Sequence, residues 1–110
     1  MAQLKVDLFT TALVADRLAA ALTSVIGRPV ELPTITTSRA VAAETLVAQW
    51  ETENVGRAPD ESRHARELSW LLVSETDAAA AEAAVREHLT ALDEGQQRSE
   101  TPWMTAVLSD

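Results

Sequence analysis

The fold class depends on residues 67–73, Glu-Leu-Ser-Trp-Leu-Leu-Val. Leu68, Leu71 and Leu72 recur at helical spacing, although an apolar run this short is also compatible with a buried strand. The residues that precede the run are indifferent or good helix formers. We therefore predict a helix over residues 60–73 and keep a strand at 67–73 as the alternative.

The N-terminal part divides into an extended segment, a helix and a connection. Residues 3–9 alternate between apolar and polar side chains, which indicates a short strand or an extended arm. Helical spacing begins at Thr10 or Thr11, either of which can cap a helix, and it ends at Gly27. Residues 28–37 contain two prolines, which resist helix formation, so we predict an extended connection there.

Two further helices are predicted, one from Thr37 or Ser38 to about Asn54 and one over residues 77–93. The chain of 110 residues contains only three glycines and four prolines. Because turns need these residues, the composition favours few and long helices. The predicted fold is mainly α, a small bundle of three to four helices with an extended N-terminal arm and an apolar C-terminal tail. The alternative is an α+β fold with short strands at 3–9 and 67–73.

The C-terminal residues differ in character from the rest of the chain. Residues 1–93 are predicted to form one helical domain, and residues 94–110 a polar linker followed by an apolar anchor. The anchor could fold back onto the core of its own domain or dock into a partner, because termini are loose unless contacts hold them. Tryptophan is a frequent interface hot spot, which favours Trp103 as a docking residue.

Three tryptophans lie on separate segments of a chain that has one Phe and no Tyr. Trp50 and Trp70 lie among leucines and valines, which is typical of a core. A small bundle rich in alanine has little room for three indoles, so we expect at least one of them to face a partner. The predicted partner-binding residues are Trp103, Met104, Val107, Leu108, Trp50 and Trp70.

The net charge of −8 limits the classes of partner. No stripe of Arg and Lys can follow a phosphate backbone, so the sequence predicts no nucleic-acid binding. Repulsion disfavours an anionic membrane surface, and charges within the first apolar run exclude a signal peptide or a membrane span. We expect a cytoplasmic protein whose partner is another protein with a basic surface, although the same charge also serves solubility.

Motifs for catalysis and for metal binding are incomplete. The chain has no cysteine, no Gly-x-Ser-x-Gly and no glycine-rich phosphate loop. Glu61 and His64 form a Glu-x-x-His pair, a motif that di-iron carboxylate bundles use twice, but the residue three before His88 is Val85. The sequence therefore predicts a protein that is not an enzyme and has no catalytic residue, cofactor or metal of its own.

Two parts of the chain resemble the γ subunit of soluble methane-monooxygenase-type hydroxylases. Residues 1–6, Met-Ala-Gln-Leu-Lys-Val, followed by a helix that ends near residues 21–25, resemble the start of that subunit. Residues 43–50, Ala-Glu-Thr-Leu-Val-Ala-Gln-Trp, with Trp70 on the next predicted helix, are similar to a helix pair of the family.

The resemblance implies a small helical subunit on the outside of a large di-iron hydroxylase, supplying neither iron ligands nor a substrate pocket. We therefore expect a non-catalytic accessory subunit that binds a larger protein within a multi-subunit enzyme complex. The alternatives are an acidic regulator, such as an antitoxin, an inhibitor or a phage-encoded decoy, and a structural component of a phage or other particle.

Overall fold

The protein is described by a computed structural model in which residues 1–27, 29–31, 33–38, 40–54, 63–94 and 102–109 are placed. These residues form an α+β fold with one antiparallel sheet, whose strand order is β2-β3-β1-β4. In chain order the elements are β1 (Ala2–Thr10), α1 (Ala12–Ile26), β2 (Thr34–Thr37), α2 (Ala40–Glu53), β3 (His64–Leu72), α3 (Glu75–Glu94) and β4 (Trp103–Ser109).

The topology consists of two interleaved βαβ units. The unit β1-α1-β2 has β3 inserted between its strands, and the unit β3-α3-β4 has β1 inserted between its strands. This split arrangement is that of ferredoxin-like domains. Helix α2 is an addition to it, placed in the connection between β2 and β3.

The two central strands follow from the alternation of side chains along the backbone. Leu4, Val6 and Leu8 of β1 are fully buried on one face of the sheet. Leu4 lies opposite Trp70, and Val6 lies opposite Leu68, in the antiparallel pairing with β3. Because successive residues of a strand point to opposite faces, one face of both strands is apolar and is covered by α1 and α3. The main core contains Ala2, Leu4, Val6, Leu8, Ala19, Leu22, Leu68, Trp70, Leu72, Ala78, Ala81, Val85 and Leu89.

Helix α2 packs on the opposite face of the sheet and makes the fold three layers thick. Leu46 and Trp50 of the helix are buried against Phe9 of β1 and Ala65 of β3. The rings of Phe9 and Trp50 meet edge to face with their centroids 6.1 Å apart. Phe9 and Ala65 are directly opposite one another in the sheet, so the second apolar cluster is centred on one cross-strand pair.

A charged group in the central strand ties α2 to the sheet. Asp7 is 9% exposed, and its Oδ1 accepts a hydrogen bond from the Ser38 hydroxyl at 2.7 Å. Ser38 also donates its backbone N–H to the carbonyl of Ala65 at 3.1 Å. A buried carboxylate is costly unless it is hydrogen-bonded, so the position of Ser38 is strongly determined. Ser38 lies two residues before α2, and its fixed position directs the helix across Phe9.

Both ends of α1 confirm the capping residues expected from the sequence, and a hydroxyl also caps α3. Thr11 precedes α1, and its side-chain oxygen accepts a hydrogen bond from the Val14 N–H at 3.3 Å. Gly27 ends α1 with φ of 89°, a left-handed conformation that glycine adopts without a Cβ penalty. Ser74 precedes α3, and its hydroxyl oxygen accepts from the Asp77 N–H at 3.1 Å.

The prediction of a mainly α bundle is wrong. Within the described residues, strand β3 takes the place of the predicted helix over 60–73, and the predicted apolar tail is strand β4. Residues 3–9, expected to be a short strand or an extended arm, belong to the central strand β1, so the structure agrees with the α+β alternative. Leu68 and Leu72 are buried on the main-core face, whereas Leu71 lies on the other face. The leucines that indicated one helical face therefore belong to two faces of a strand.

We expect the second apolar cluster to contribute to global stability. Leu46→Ala should destabilise the protein by about 2–4 kcal/mol, because the side chain is fully buried and its removal leaves a cavity beneath α2. The matched control is Val41→Ala on the same helix, where the side chain is 78% exposed and the change should stay within about 0.5 kcal/mol. Urea unfolding monitored by circular dichroism measures both. Equal effects would contradict the packing of α2 on the sheet.

Candidate partner-binding site

Two of the six predicted partner-binding residues are core residues. Trp70 is 1% exposed, and its indole N–H donates a hydrogen bond to the Thr23 hydroxyl oxygen at 2.9 Å. Trp50 is 3% exposed and packs against Phe9. These two indoles therefore offer almost no surface to a partner. The additional layer formed by α2 is what gives the fold room for Trp50.

The other four predicted residues lie together on strand β4, at one edge of the sheet. Trp103 and Val107 are half-buried against the main core, and Met104 is half-buried against the second apolar cluster. Leu108 is 41% exposed. The C-terminal residues thus pack onto the sheet of their own chain, and what β4 offers a partner is mainly its backbone.

The direction of the backbone groups of β4 follows from one hydrogen bond. The Phe9 N–H donates to the carbonyl of Pro102 at 3.0 Å, and these two residues lie in register with the β1–β4 pairing. In an antiparallel pair, hydrogen-bonded and non-hydrogen-bonded residue pairs alternate. Met104, Ala106 and Leu108 consequently direct their N–H and C=O groups toward β1. The residues between them, Thr105 and Val107, direct theirs away from the sheet.

We call the outward backbone groups of Thr105 and Val107 the β4 edge. Among the described strands, none pairs with this side of β4. The strand spans seven residues, Trp-Met-Thr-Ala-Val-Leu-Ser, without a charged residue or a proline. Natural sheets usually protect such edges with charges, prolines, bulges or very short strands. The β4 edge has none of these features and is therefore suited to pairing with another strand.

The opposite edge of the sheet is formed by a shorter strand. Strand β2 has only four residues, Thr-Ile-Thr-Thr. Beyond its ends, the Val30 N–H donates to the carbonyl of Leu71 at 2.7 Å, and the Ser38 N–H donates to the carbonyl of Ala65 at 3.1 Å. The two edges thus differ in length and in the extent of backbone available to a partner, which favours β4 as the site.

Arg86 on α3 places a positive charge close to the β4 edge. Its guanidinium lies 5.8 Å from the ring centroid of Trp103, and its Nη1 donates to the Thr105 hydroxyl oxygen at 3.3 Å. Arg86 is exposed, so its charge is accessible to a chain that pairs with β4. Sequence reasoning missed this residue, because its relation to Trp103 depends on the pairing of β4 with β1.

The side chains that could act in catalysis or metal binding do not lie close to one another. His64 begins β3 and is exposed, while His88 is half-buried on α3. Glu61 lies outside the described residues. Within the described part of the chain, no three His, Asp or Glu side chains are grouped so that they could hold a metal ion. Among the same residues, no helix has the length and apolar character needed to cross a membrane.

Comparisons with known proteins do not assign a family. The sequence matches no protein-family model and no curated protein. Among solved structures, a Thermus thermophilus protein proposed to be PII-like and involved in signalling is 16% identical, with a TM-score of 0.45 over 98% of this chain and 88% of that chain. A proposed aminohydrolase from methicillin-resistant Staphylococcus aureus is 12% identical, with a TM-score of 0.46 over 99% of this chain and 28% of that chain. Similarity at this level carries no argument about function.

The direction of the β4 backbone groups predicts that proline at neighbouring positions changes the stability by different amounts. Thr105→Pro removes an outward N–H and should change the stability by no more than about 1 kcal/mol. Ala106→Pro removes an N–H directed at the carbonyl of Lys5 and should cost about 3 kcal/mol or more. Thermal unfolding of both variants tests this difference, and a reversed order would contradict the assignment of the β4 edge.

Proposed function

We propose that this chain is a non-catalytic, cytoplasmic subunit that binds a larger protein by accepting an extended segment of that protein at the β4 edge. The observation that carries the proposal is the outward direction of the Thr105 and Val107 backbone groups on an uncharged edge strand. Strand addition of this kind derives affinity from main-chain hydrogen bonds and specificity from the side chains on either face.

The surroundings of β4 define the segment that would fit. A strand added beside β4 would lie next to α3 on one face, where Arg86 is exposed. On the other face, the exposed Leu108 provides an apolar contact. We therefore propose that the partner's segment carries an acidic residue close to Thr105 and an apolar residue close to Leu108, because these side chains complement Arg86 and Leu108.

Charge favours a different protein over a second copy as the occupant. A two-fold antiparallel pairing of two β4 strands about Thr105 would place the two Arg86 side chains near the same axis. Each copy also carries a net charge of −8, so two copies repel one another at long range. A different protein with a basic surface avoids both the approach of two Arg86 side chains and the repulsion between two negative net charges.

The identity of the larger protein is a separate proposal. The accessory role in a di-iron monooxygenase hydroxylase rests on the resemblance to the γ subunit, and part of that resemblance used a helix pair carrying Trp50 and Trp70. Trp50 lies on α2, whereas Trp70 lies on β3. The binding role proposed here depends on the β4 edge and does not require a hydroxylase as the partner.

A matched pair of variants tests the proposal. The tagged wild-type chain, Thr105→Pro and Thr105→Ala are used for affinity capture from the native lysate at low and high salt, with the captured chains identified by mass. Both variants lose the hydroxyl that contacts Arg86, but only proline removes the outward N–H. We expect one larger chain to be retained by wild type and Thr105→Ala and to be lost with Thr105→Pro.

Two further readouts identify the occupant. With the captured partner bound, hydrogen exchange at the Thr105 and Val107 amides should slow by at least about tenfold, because strand addition gives both N–H groups an acceptor. Retention of the partner by Thr105→Pro, or unchanged exchange at these amides, would refute binding at the β4 edge. Sedimentation of the isolated wild type as a dimer, with Thr105→Pro a monomer, would instead make a second copy the occupant.

A further inference from the structure

A pocket of about 340 Å³ lies between the first turn of α2 and strand β4. Val41 and Ala42 line it from the helix, and Met104, Thr105 and Ala106 line it from the strand. The volume is at the lower end of the range for pockets that hold small organic ligands, so it has room for one large side chain. We call this space the β4 pocket.

The β4 pocket lies on the face of the sheet that α2 covers, and it reaches the edge of the sheet. Met104 contacts the second apolar cluster, and Ala106 shares its face because alternate residues of a strand point to the same side. The Thr105 side chain lies on the other face, where its hydroxyl oxygen accepts a hydrogen bond from Arg86. Thr105 therefore lines the pocket with its backbone, which is also the central group of the β4 edge.

The lining of the β4 pocket is mainly aliphatic. Val41 is 78% exposed, and Ala106 is exposed as well, so their methyl groups are largely uncovered by the described residues. Asp7 is the one charged residue of the lining within the described part of the chain. It is buried, and its carboxylate accepts a hydrogen bond from the Ser38 hydroxyl at 2.7 Å. A side chain that enters the pocket would meet mostly apolar surface and would gain free energy by covering it.

Strand addition at the β4 edge would bring a side chain to this pocket. Residues that lie directly opposite one another in neighbouring strands direct their side chains to the same face. The partner's residue opposite Thr105 would therefore lie on the face of Arg86, and the residue opposite Ala106 on the face of the pocket. Ala106 has only a methyl group and leaves space for a larger neighbour, whereas Met104 fills the space beside it with its own side chain.

We propose that the β4 pocket receives one large aliphatic or aromatic side chain of the partner's segment, carried by the residue directly opposite Ala106. This inference rests on the proposed function, because addition of that segment at the β4 edge is what brings the side chain to the pocket. Main-chain hydrogen bonds form with almost any sequence, so the pocket supplies specificity. The segment is then defined at three positions: acidic opposite Thr105, large and apolar opposite Ala106, and apolar opposite Leu108.

Three short peptides test the inference. Each is capped at both ends and has the same sequence in both directions, so the direction of pairing does not matter. The first is Thr-Leu-Glu-Leu-Thr, which places a leucine opposite Ala106 when its glutamate lies opposite Thr105. The second has alanine, and the third glutamine, in place of both leucines. We expect the leucine peptide to bind at least about tenfold more tightly than the other two, because its side chain is transferred from water to an apolar pocket.

Two-dimensional ¹⁵N NMR of the full chain measures the binding. The amide signals of Thr105 and Val107 report on strand addition, because their N–H groups would gain acceptors. The amide signals of Val41 and Ala42 report on the pocket. We expect the leucine peptide to shift all four signals, and the alanine and glutamine peptides to shift those of Thr105 and Val107 at higher concentration.

Variants of the chain connect the leucine preference to the pocket. Ala106→Leu fills the pocket and keeps the backbone of the edge, so the preference should fall to about twofold or less. Val41→Ala removes part of one wall and should lower the preference at least about threefold. The matched control is Val30→Ala, an exposed valine at the opposite edge of the sheet, which should leave the preference unchanged. If Ala106→Leu does not fold, Val41→Ala carries the test, because its exposed side chain contributes little to stability.

Three results would overturn the inference. Equal binding of the three peptides, with shifts at Thr105 and Val107, would exclude the pocket and leave strand addition in place. Failure of the leucine peptide to bind up to about 10 mM would also exclude it, whereas the proposed function is decided separately by the captured partner and Thr105→Pro. A leucine preference that persists in Ala106→Leu and in Val41→Ala would show that the side chain binds elsewhere.

Discussion

Strand β1 pairs on both sides, and the rest of the structure depends on this position. Its even-numbered residues pair with β3 through one row of backbone hydrogen bonds, and its odd-numbered residues pair with β4 through the other. The same alternation separates its side chains, with Leu4, Val6 and Leu8 on one face and Asp7 and Phe9 on the other. A strand bonded and covered in this way fixes the register of both neighbours, and thereby the outward direction of the β4 backbone.

The sequence predicted the ends of α1 but not the strand β3, and the difference has a physical cause. Thr11 and Gly27 marked the ends of α1, because capping is a local property of a few neighbouring residues. The run at 67–73 was not decided locally, since Leu68, Leu71 and Leu72 fit one helical face as well as two faces of a strand. What excludes a helix is the pairing of β3 with β1, and this contact joins residues more than fifty positions apart.

The candidate site at β4 likewise depends on long-range strand pairing, which local sequence patterns do not reveal. The sequence singled out residues 103, 104, 107 and 108 as apolar and separate from the rest of the chain, but their roles depend on the partner strand. Pairing with β1 turns Trp103 and Val107 toward the main core and Met104 toward α2. The backbone of Thr105, a residue without any sequence signal, becomes the central group of the edge.

Positive and negative side chains occupy different parts of the molecule. Arg63 directly precedes β3, Arg66 lies within it, and Arg86 lies on α3 close to β4, whereas exposed carboxylates such as Asp16, Glu75 and Glu87 lie on the helices. The long-range field of the molecule is therefore negative, while the positive groups act only at short distance. A second copy meets the negative field first and is repelled. Under the proposed function, this long-range repulsion would disfavour pairing of β4 with a second copy and would not oppose pairing with a protein of opposite charge.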